Sequence, residues 1–497
     1  MRRNGTPRGV PFSRGTFRPL LLGLLLLDWS SGPPLAAEPV LLLDATRIEQ
    51  QDNIRIAVGQ AEKSLANPLF GEDRSWEPRF DNMYPNVTWD KGERIFKCWY
   101  NLFVVEVEDW IGSTPERMRW LYRQSGVAYA TSHDGLHWEK PALDLLPYHG
   151  APSNLLLRDV HGAGVFRDER EPRPERRYKL FGVNERDGRR TNVAVRFSPD
   201  GVHWENATEL ENIKLWADTH NNAFWAPTLG RYVALTRDWD FANPGAVSRV
   251  RLVARTESGD FLHWSDPQVV LRGLDDNLQV YAMPVFYHGG VYLGLPAIFD
   301  LRQDRVHVEL AWSKDTVTWH RVEPGTPLIA NGTRPGDYDW GCVYPAASPI
   351  LTADGVKLFY AGSDGPHYGK RRGSLALATL RPDGFAAATP ADPVREGTIV
   401  STPISFQCVD VLLLTADTGA AGSVQVALMD AAGRKVAQSV PLTGSFTARP
   451  VEWSTPPSAG RAELRLCFTL KDARLYSYEQ VGESAAPTHP PSAKTSR

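Results

Sequence analysis

Five short runs in the sequence gather the side chains that sugar chemistry uses. They are residues 79–86 (R-F-D-N-M-Y-P-N), 158–162 (R-D-V-H-G), 217–222 (A-D-T-H-N-N), Asp275 and Asp276 with Gln279, and 337–340 (D-Y-D-W). Carboxyl groups sharing one mouth divide into a proton donor and a base or nucleophile. Imidazole, amide and guanidinium groups hold hydroxyl oxygens, and a Trp face covers a sugar ring. The candidate catalytic carboxylates are Asp81, Asp159 and Asp218. The candidates for holding a ligand are Asn82, His161, His220, Asn221, Arg237, Asp337 and Trp340. Glu185, Arg186, Asp238, Asp364 and His367 stand in further polar turns. Any single Asp or Asn here is first of all a turn residue, because both favour turns. Several of them in one funnel make a site. His161 and His220, two scattered imidazoles, are read as hydrogen-bonding groups rather than metal ligands, so neither metal nor cofactor is expected.

Runs this far apart in the chain meet only if a repeated scaffold brings them together. The phrase at 132–138 (S-H-D-G-L-H-W) returns as 198–204 (S-P-D-G-V-H-W), 258–264 (S-G-D-F-L-H-W) and 313–319 (S-K-D-T-V-T-W), with an R-P-D-G echo at 381–384. The spacing is roughly 60 residues, a propeller-type period rather than that of a helical solenoid. Each unit reads as four strands of β-branched, aromatic and alternating residues between Gly, Asp and Pro turns. The expected fourth strands are 137–140, 203–205, 262–264 and 317–321, with the last strand of the fifth unit open. Only residues 54–65 carry a helix-like spacing. The fold expected is all-β: a five-bladed β-propeller over 76–390, then a small β-sandwich over 391–480. In an up-and-down blade the repeated phrase falls at the third-to-fourth turn, on the lower face. Its Ser and Asp bond nearby backbone, Gly takes the positive φ, and Trp packs between blades. The polar runs precede each innermost strand and therefore share the upper face.

Composition narrows the function classes. The chain has 497 residues, a net charge of −3 and 16 Trp. No basic run follows the N-terminus, so nucleic acid is not an expected partner. Five Arg precede the apolar run 20–27, and Ala36 and Ala37 follow it. Residues 1–37 therefore read as a signal peptide, and the mature chain, near −7 once that segment's net +4 is removed, as secreted or periplasmic with no membrane partner. Residues 38–75 are a lead-in, and 481–497, rich in Pro, Ser and Ala, a disordered tail. Export permits disulfides, so Cys98 with Cys342 and Cys408 with Cys467 are open either to pairing or to burial as thiols.

The stretches W-E-P-R-F-D-N-M-Y-P-N-V-T-W-D at 76–90 and K-C-W-Y-N at 97–101, with the repeated turns, resemble the five-bladed propeller glycosidases. These are the invertase and fructanase family and the arabinanase and xylosidase family. Exported bacterial proteins with an invertase-type N-terminal domain are similar through G-V-F-R-D-E at 164–169, A-D-T-H-N-N-A-F-W at 217–225 and the closing L-R-L-C-F-T-L-K-D-A-R-L-Y-S-Y at 464–478. The resemblance implies a glycoside hydrolase acting on a poly- or oligosaccharide. It implies Asp81 as nucleophile or base, Asp159 as transition-state stabiliser or pKa tuner, and Asp218 as acid. The chain departs from the families' pattern in two places. It lacks the N-D-P-N-G nucleophile motif, and its third entrance offers Asp218 with His220 where those families place a Glu. A non-catalytic carbohydrate-binding propeller is the alternative. A glycoside phosphorylase, which would need an Arg and His cluster to hold phosphate, is the third reading.

Overall fold

A computed structural model describes residues 38–80, 82–110, 118–186, 189–240, 249–458 and 461–482, with the backbone alone over 106–110 and 118–123 and at 461. The expected signal peptide, Asp81 and the tail from residue 483 lie outside the described residues. The described chain is almost entirely β, its strands arranged as propeller blades with a separate large sheet.

The first blade consists of Asn86–Asp90, Ile95–Trp110, Met118–Ser132 and Leu155–Arg158, innermost to outermost. The second consists of Val160–Arg167, Tyr178–Arg186, Arg189–Ser198 and Thr208–Glu209. The third consists of Asn222–Ala226, Arg231–Asp240, Val250–Ser258 and Gln268–Arg272. In the fourth unit each of the three inner strands is broken once, at Pro284, at Pro296 and at Glu309. Proline has no N–H for a ladder, and the Leu295 and Glu309 N–H groups bond instead to the Pro284 and Pro296 carbonyls. The lower halves form a four-stranded sheet closed by His320–Val322.

The upper halves of the fourth unit merge with the fifth into one nine-stranded sheet, so the fifth unit is not a sheet of its own. Its strands are Cys342–Pro345, Gly355–Ser363 and Gly373–Leu380. The outer position is filled from the start of the chain, by Glu62–Lys63 and Phe70–Gly71 paired on Gly373–Leu380. Lys63 fixes this closure through an ion pair of 2.6 Å with buried Asp339, which also accepts the Tyr360 hydroxyl at 2.8 Å.

The expected fourth strands are displaced in the first three units, and the repeated turn explains why. Asp134 Oδ1 accepts the N–H groups of Leu136 and His137, each at 2.8 Å, and Asp200, Asp260 and Asp315 do the same for their followers. Those N–H groups are spent on the carboxylate and cannot join a ladder. In the first blade residues 137–140 keep a single bridge, Thr131 to Glu139. The chain then runs through the hairpin Leu143–Tyr148 and Ala151–Ser153 before pairing as Leu155–Arg158. In the rest of the turn Ser accepts the third N–H and each Trp Nε1 closes back on the carbonyl of the residue with positive φ; that residue is Gly135 and Gly201, as expected, but Phe261 and Thr316 in the third and fourth units, which have no Gly there.

The C-terminal sheet has eleven strands. Two long ones, Val411–Met429 and Arg461–Val481, pair along their length, with register shifts at Thr415/Ala416 and Thr418/Ser423 that bend both. Between its layers lie Leu412, Leu414, Val426, Leu428, Leu466, Phe468, Leu470 and Leu475, all fully buried. Ile48–Asp52 and Ile54–Val58 from the start of the chain join this sheet, on Gly397–Ser401 and Ala386–Pro390. Residues 54–58, inside the one helix-like stretch, are thus strand. All four cysteines are free thiols, with Cys98 and Cys342 buried in the propeller core.

Candidate active site at the upper mouth

The loop into the first blade is anchored before it reaches the axis. Trp76 Nε1 donates to Asn154 Oδ1 at 2.7 Å, and buried Glu77 takes an ion pair of 2.6 Å from Lys140 and the Tyr100 hydroxyl at 2.7 Å. Glu72 accepts the N–H of Phe80 at 2.6 Å and of Gly373 at 3.1 Å. The chain then passes through three consecutive left-handed residues, Asn82, Met83 and Tyr84, at φ 51°, 58° and 40°. Three non-glycine residues in that region store strain that the surroundings must over-determine, a feature that clusters at functional sites. Here Met83 is wholly buried, its carbonyl accepts Asn101 N–H at 2.7 Å, and Asn86 Nδ2 donates to the Tyr84 carbonyl at 2.9 Å.

The strain delivers Asn82 to the centre. Its Nδ2 donates to the hydroxyls of Tyr84 at 2.9 Å and Tyr281 at 3.0 Å, and its Oδ1 accepts Arg371 at 2.7 Å. One amide therefore joins the first, fourth and fifth units.

Asp159 occupies the corner where the outer strand of the first blade passes straight into the inner strand of the second, at φ 60°. Its N–H bonds Ser125 O, its carbonyl accepts Glu185 N–H, and its Oδ1 accepts Gln124 Nε2 at 3.0 Å. One turn on, His161 Nε2 meets Asp218 Oδ1 at 2.9 Å, and Ser125 Oγ lies 3.2 Å from His161 Nδ1. Arg190 pairs with the other Asp218 oxygen at 3.0 Å. Burial alone would raise the Asp218 pKa; Arg190, His161 and Arg237 outweigh it and hold the carboxyl well below the usual range. Asp218 is thus charged at neutral pH. An acid must carry its proton, so the acid role expected for Asp218 is at odds with its surroundings.

Asp304, in the second-to-third turn of the fourth unit, behaves in the opposite way. Burial pushes it up to about 6, against the Tyr368 N–H and the nearby Arg371 and Arg251. His367 packs beside it, its N–H on the Asp304 carbonyl and its ring 4.9 Å from Tyr281 and 4.7 Å from Phe299. Burial, then Arg371, Arg251, Arg237 and Arg79, press the His367 pKa well below the ordinary imidazole value, so the ring is neutral. Arg237 is 1% exposed, donates to the Tyr281 carbonyl at 2.5 Å, and lies over the Tyr281 and Trp239 rings at 4.2 and 5.1 Å.

Of the expected residues, Asn82, His161, Asp218 and Arg237 come together here, with Asp159 beside them. His220 is instead structural: 2% exposed, stacked on Tyr84 at 5.4 Å, bonded to Asn86 Oδ1 at 3.0 Å, and lowered to about 3 by burial. Asn221 is spent inside as well, its Nδ2 on the Gly162, Ala217 and Thr219 carbonyls and its Oδ1 on Thr236. Asp337 caps its own turn by accepting Arg334 N–H at 2.9 Å, and Trp340 lies under Arg305 at 4.8 Å. Neither makes a described contact with the Asn82 and Asp218 group. Arg190, Arg251, Tyr281, Asp304 and Arg371 were outside the candidate set. For all but Tyr281, which lies within the inner strand Leu278–Ala282, the position at the upper end of a blade hairpin, the same place that flagged His367, was the available signal. Among the described residues no group of three His, Cys, Asp or Glu side chains could hold a metal ion.

No family model matches the chain, and no curated protein does. Solved structures similar to it include glycoside hydrolase-like propellers. One described as a glycoside hydrolase is 16% identical, covering 65% of this chain and 93% of its own at a TM-score of 0.46. A thermostable family-43 glycoside hydrolase is 12% identical, covering 62% and 93% at 0.44. A third belongs to the GH130 family of mannoside phosphorylases, described as containing glycoside hydrolases that target beta-1,2 mannosidic linkages in Candida mannan. It is 15% identical, covering 66% and 95% at 0.42.

Proposed function

We propose that the protein is a glycoside hydrolase that binds a carbohydrate in the upper mouth of its propeller and cleaves a glycosidic bond there. The observation that carries this reading is the pairing of opposite carboxyl states at one mouth. Asp218 is held ionised by Arg190 and His161, and Asp304 is raised to about 6, so that it carries a proton in mildly acidic solution where an ordinary aspartate has lost it. Two carboxyls pushed apart in this way divide base from acid. In this reading Asp304 protonates the leaving oxygen and Asp218 is the charged carboxylate that steadies the cationic sugar or activates water. Asp159 tunes the site, and Asp81 stands as nucleophile or base on the family resemblance alone.

The test is release of reducing sugar across a broad polysaccharide panel, with Asp218→Asn and Asp81→Asn alongside. Turnover should fall at least about 100-fold in Asp218→Asn, the scale of a lost acid–base group. Undiminished turnover in that variant would refute the assignment. Binding of a glycan with no release of sugar by the unaltered protein would replace it with a second reading, a carbohydrate-binding propeller. That reading is favoured by the charge lock on Asp218, which leaves the residue at the acid's expected position unable to donate a proton.

A further inference from the structure

Among the described residues, two guanidinium groups of the upper mouth carry buried N–H groups that no acceptor takes up. Arg237 spends one nitrogen, NH2, on the Tyr281 carbonyl; its Nε and NH1 are buried with no hydrogen-bond partner. Arg251, 6% exposed, gives NH1 to Gln279 Oε1 at 2.9 Å and NH2 to the Tyr368 hydroxyl at 3.4 Å, and its Nε is buried without a partner. The two guanidinium groups share aromatic walls, with Arg251 4.9 Å from Trp239 and 5.3 Å from Tyr281. Arg371 enters from the fifth unit on Asn82. Asp218, which interacts electrostatically with both, is already committed to Arg190 and His161.

Burying a guanidinium with N–H groups unmade is costly, and a pair of them side by side is costlier. Aromatic faces soften the cost without supplying acceptors. A neutral sugar hydroxyl would satisfy one N–H but leave the charge. An oxyanion answers both, because its oxygens match the guanidinium fork.

We propose that Arg237 and Arg251, with Arg371 beside them, form a subsite for an oxyanion: the carboxylate or sulfate of an acidic sugar, or free inorganic phosphate. The subsite rests on the carbohydrate reading above for its context but not for its test. A neutral His367 at the rim, bonded through Nδ1 to the Tyr344 hydroxyl at 2.9 Å, adds no competing charge.

The experiment is calorimetric titration of the full chain with inorganic phosphate, inorganic sulfate, galacturonate and, as the neutral control, galactose. It is run on the unaltered protein and on Arg237→Gln, Arg251→Gln and Arg237→Lys, each checked for folding by near-UV circular dichroism. At least one oxyanion should bind, more weakly as salt rises, and each Gln variant should lose at least about tenfold in affinity. Arg237→Lys should fall between, since it keeps the charge but not the fork. Binding of galacturonate or sulfate without phosphate identifies a sugar-borne anion, and binding of phosphate identifies the free ion; both support the subsite. No oxyanion bound at about 10 mM, a level that reads affinities down to the millimolar range, overturns it. So does equal binding by the folded Gln variants. Sugar release without anion binding would sink the subsite alone, and anion binding without sugar release would sink the hydrolase reading alone.

Discussion

Asp218 and Asp304 are both aspartates in polar turns, and nothing in their immediate sequence separates them. Their surroundings do: one sits on Arg190 and His161, the other in a partly buried turn with only backbone N–H and more distant arginines for relief. The sign of the stability effect follows. Asp304 keeps its proton in the folded state up to about pH 6, whereas an ordinary aspartate releases it near pH 4. Its contribution is therefore fully present below about pH 4 and is lost as pH rises through 6. Screening at a partly exposed site reduces the effect to about 1–2 kcal/mol. Urea unfolding at pH 4.5, 6 and 7.5 should show Asp304→Asn gaining that much on the unaltered protein as pH rises. Parallel pH trends for the two proteins would contradict the raised pKa. The mouth was legible in the sequence where a polar run led directly into an inner strand, as at Asn82, His161 and Asp218. For Arg251, Asp304 and Arg371 the position at a hairpin end was the one signal; by residue type they look like ordinary charged surface until the blades are closed.

The repeated turn was legible as an element because its bonds are local. Ser, Asp and Trp are satisfied within seven residues, and the geometry recurs in the first four units, with the His imidazole 2.7 Å from the Asp in three of them. What the sequence pattern misplaced was the strand that follows, since the same Asp captures the N–H groups expected to pair. The turn stands apart from the mouth, and its loss should be felt as stability. Asp200→Ala removes the acceptor of Val202 and His203 N–H and the partner of Ser198, a cost of about 1–2 kcal/mol by analogy with helix caps. Denaturant unfolding should register that loss while sugar release per folded molecule stays unchanged. A drop in release with intact stability would place the turn in the chemistry after all. The broken strands of the fourth unit were not legible either: Pro284 and Pro296 lie inside runs, 280–287 and 291–298, that read as unbroken strands, and their alignment with Glu309 appears only when three strands lie side by side.

For the molecule as a whole, propeller and C-terminal sheet are interleaved rather than consecutive. Ile48–Asp52 pairs with Gly397–Ser401 and Val40–Leu41 with Arg461–Val481. Across the junction Asp383 accepts His288 at 2.8 Å and Ser477 at 2.5 Å, and Arg381 pairs with Asp417. A chain ended at residue 390 would strand the buried Leu42 and Ala388, which pack in the core of the C-terminal sheet, without their cover. It should be recovered mainly as aggregate, measured as soluble yield and by size-exclusion chromatography. A soluble monomer with full β signal would mean that the propeller is self-sufficient. The closing strand has a consequence in time as well as in space. Asn67 bonds to Leu377 from 310 residues away, so the seam that completes the ring is the most delayed kind of contact, one that local folding cannot anticipate. While the chain is being made, the first strand waits at the edge of a growing, open stack, and the mouth has no fixed diameter. Only when the fifth unit emerges does the clasp engage, and only then do Asn82, Tyr281 and Arg371 stand at a common centre. The mouth is therefore a product of ring closure and cannot be complete before the fifth unit is made.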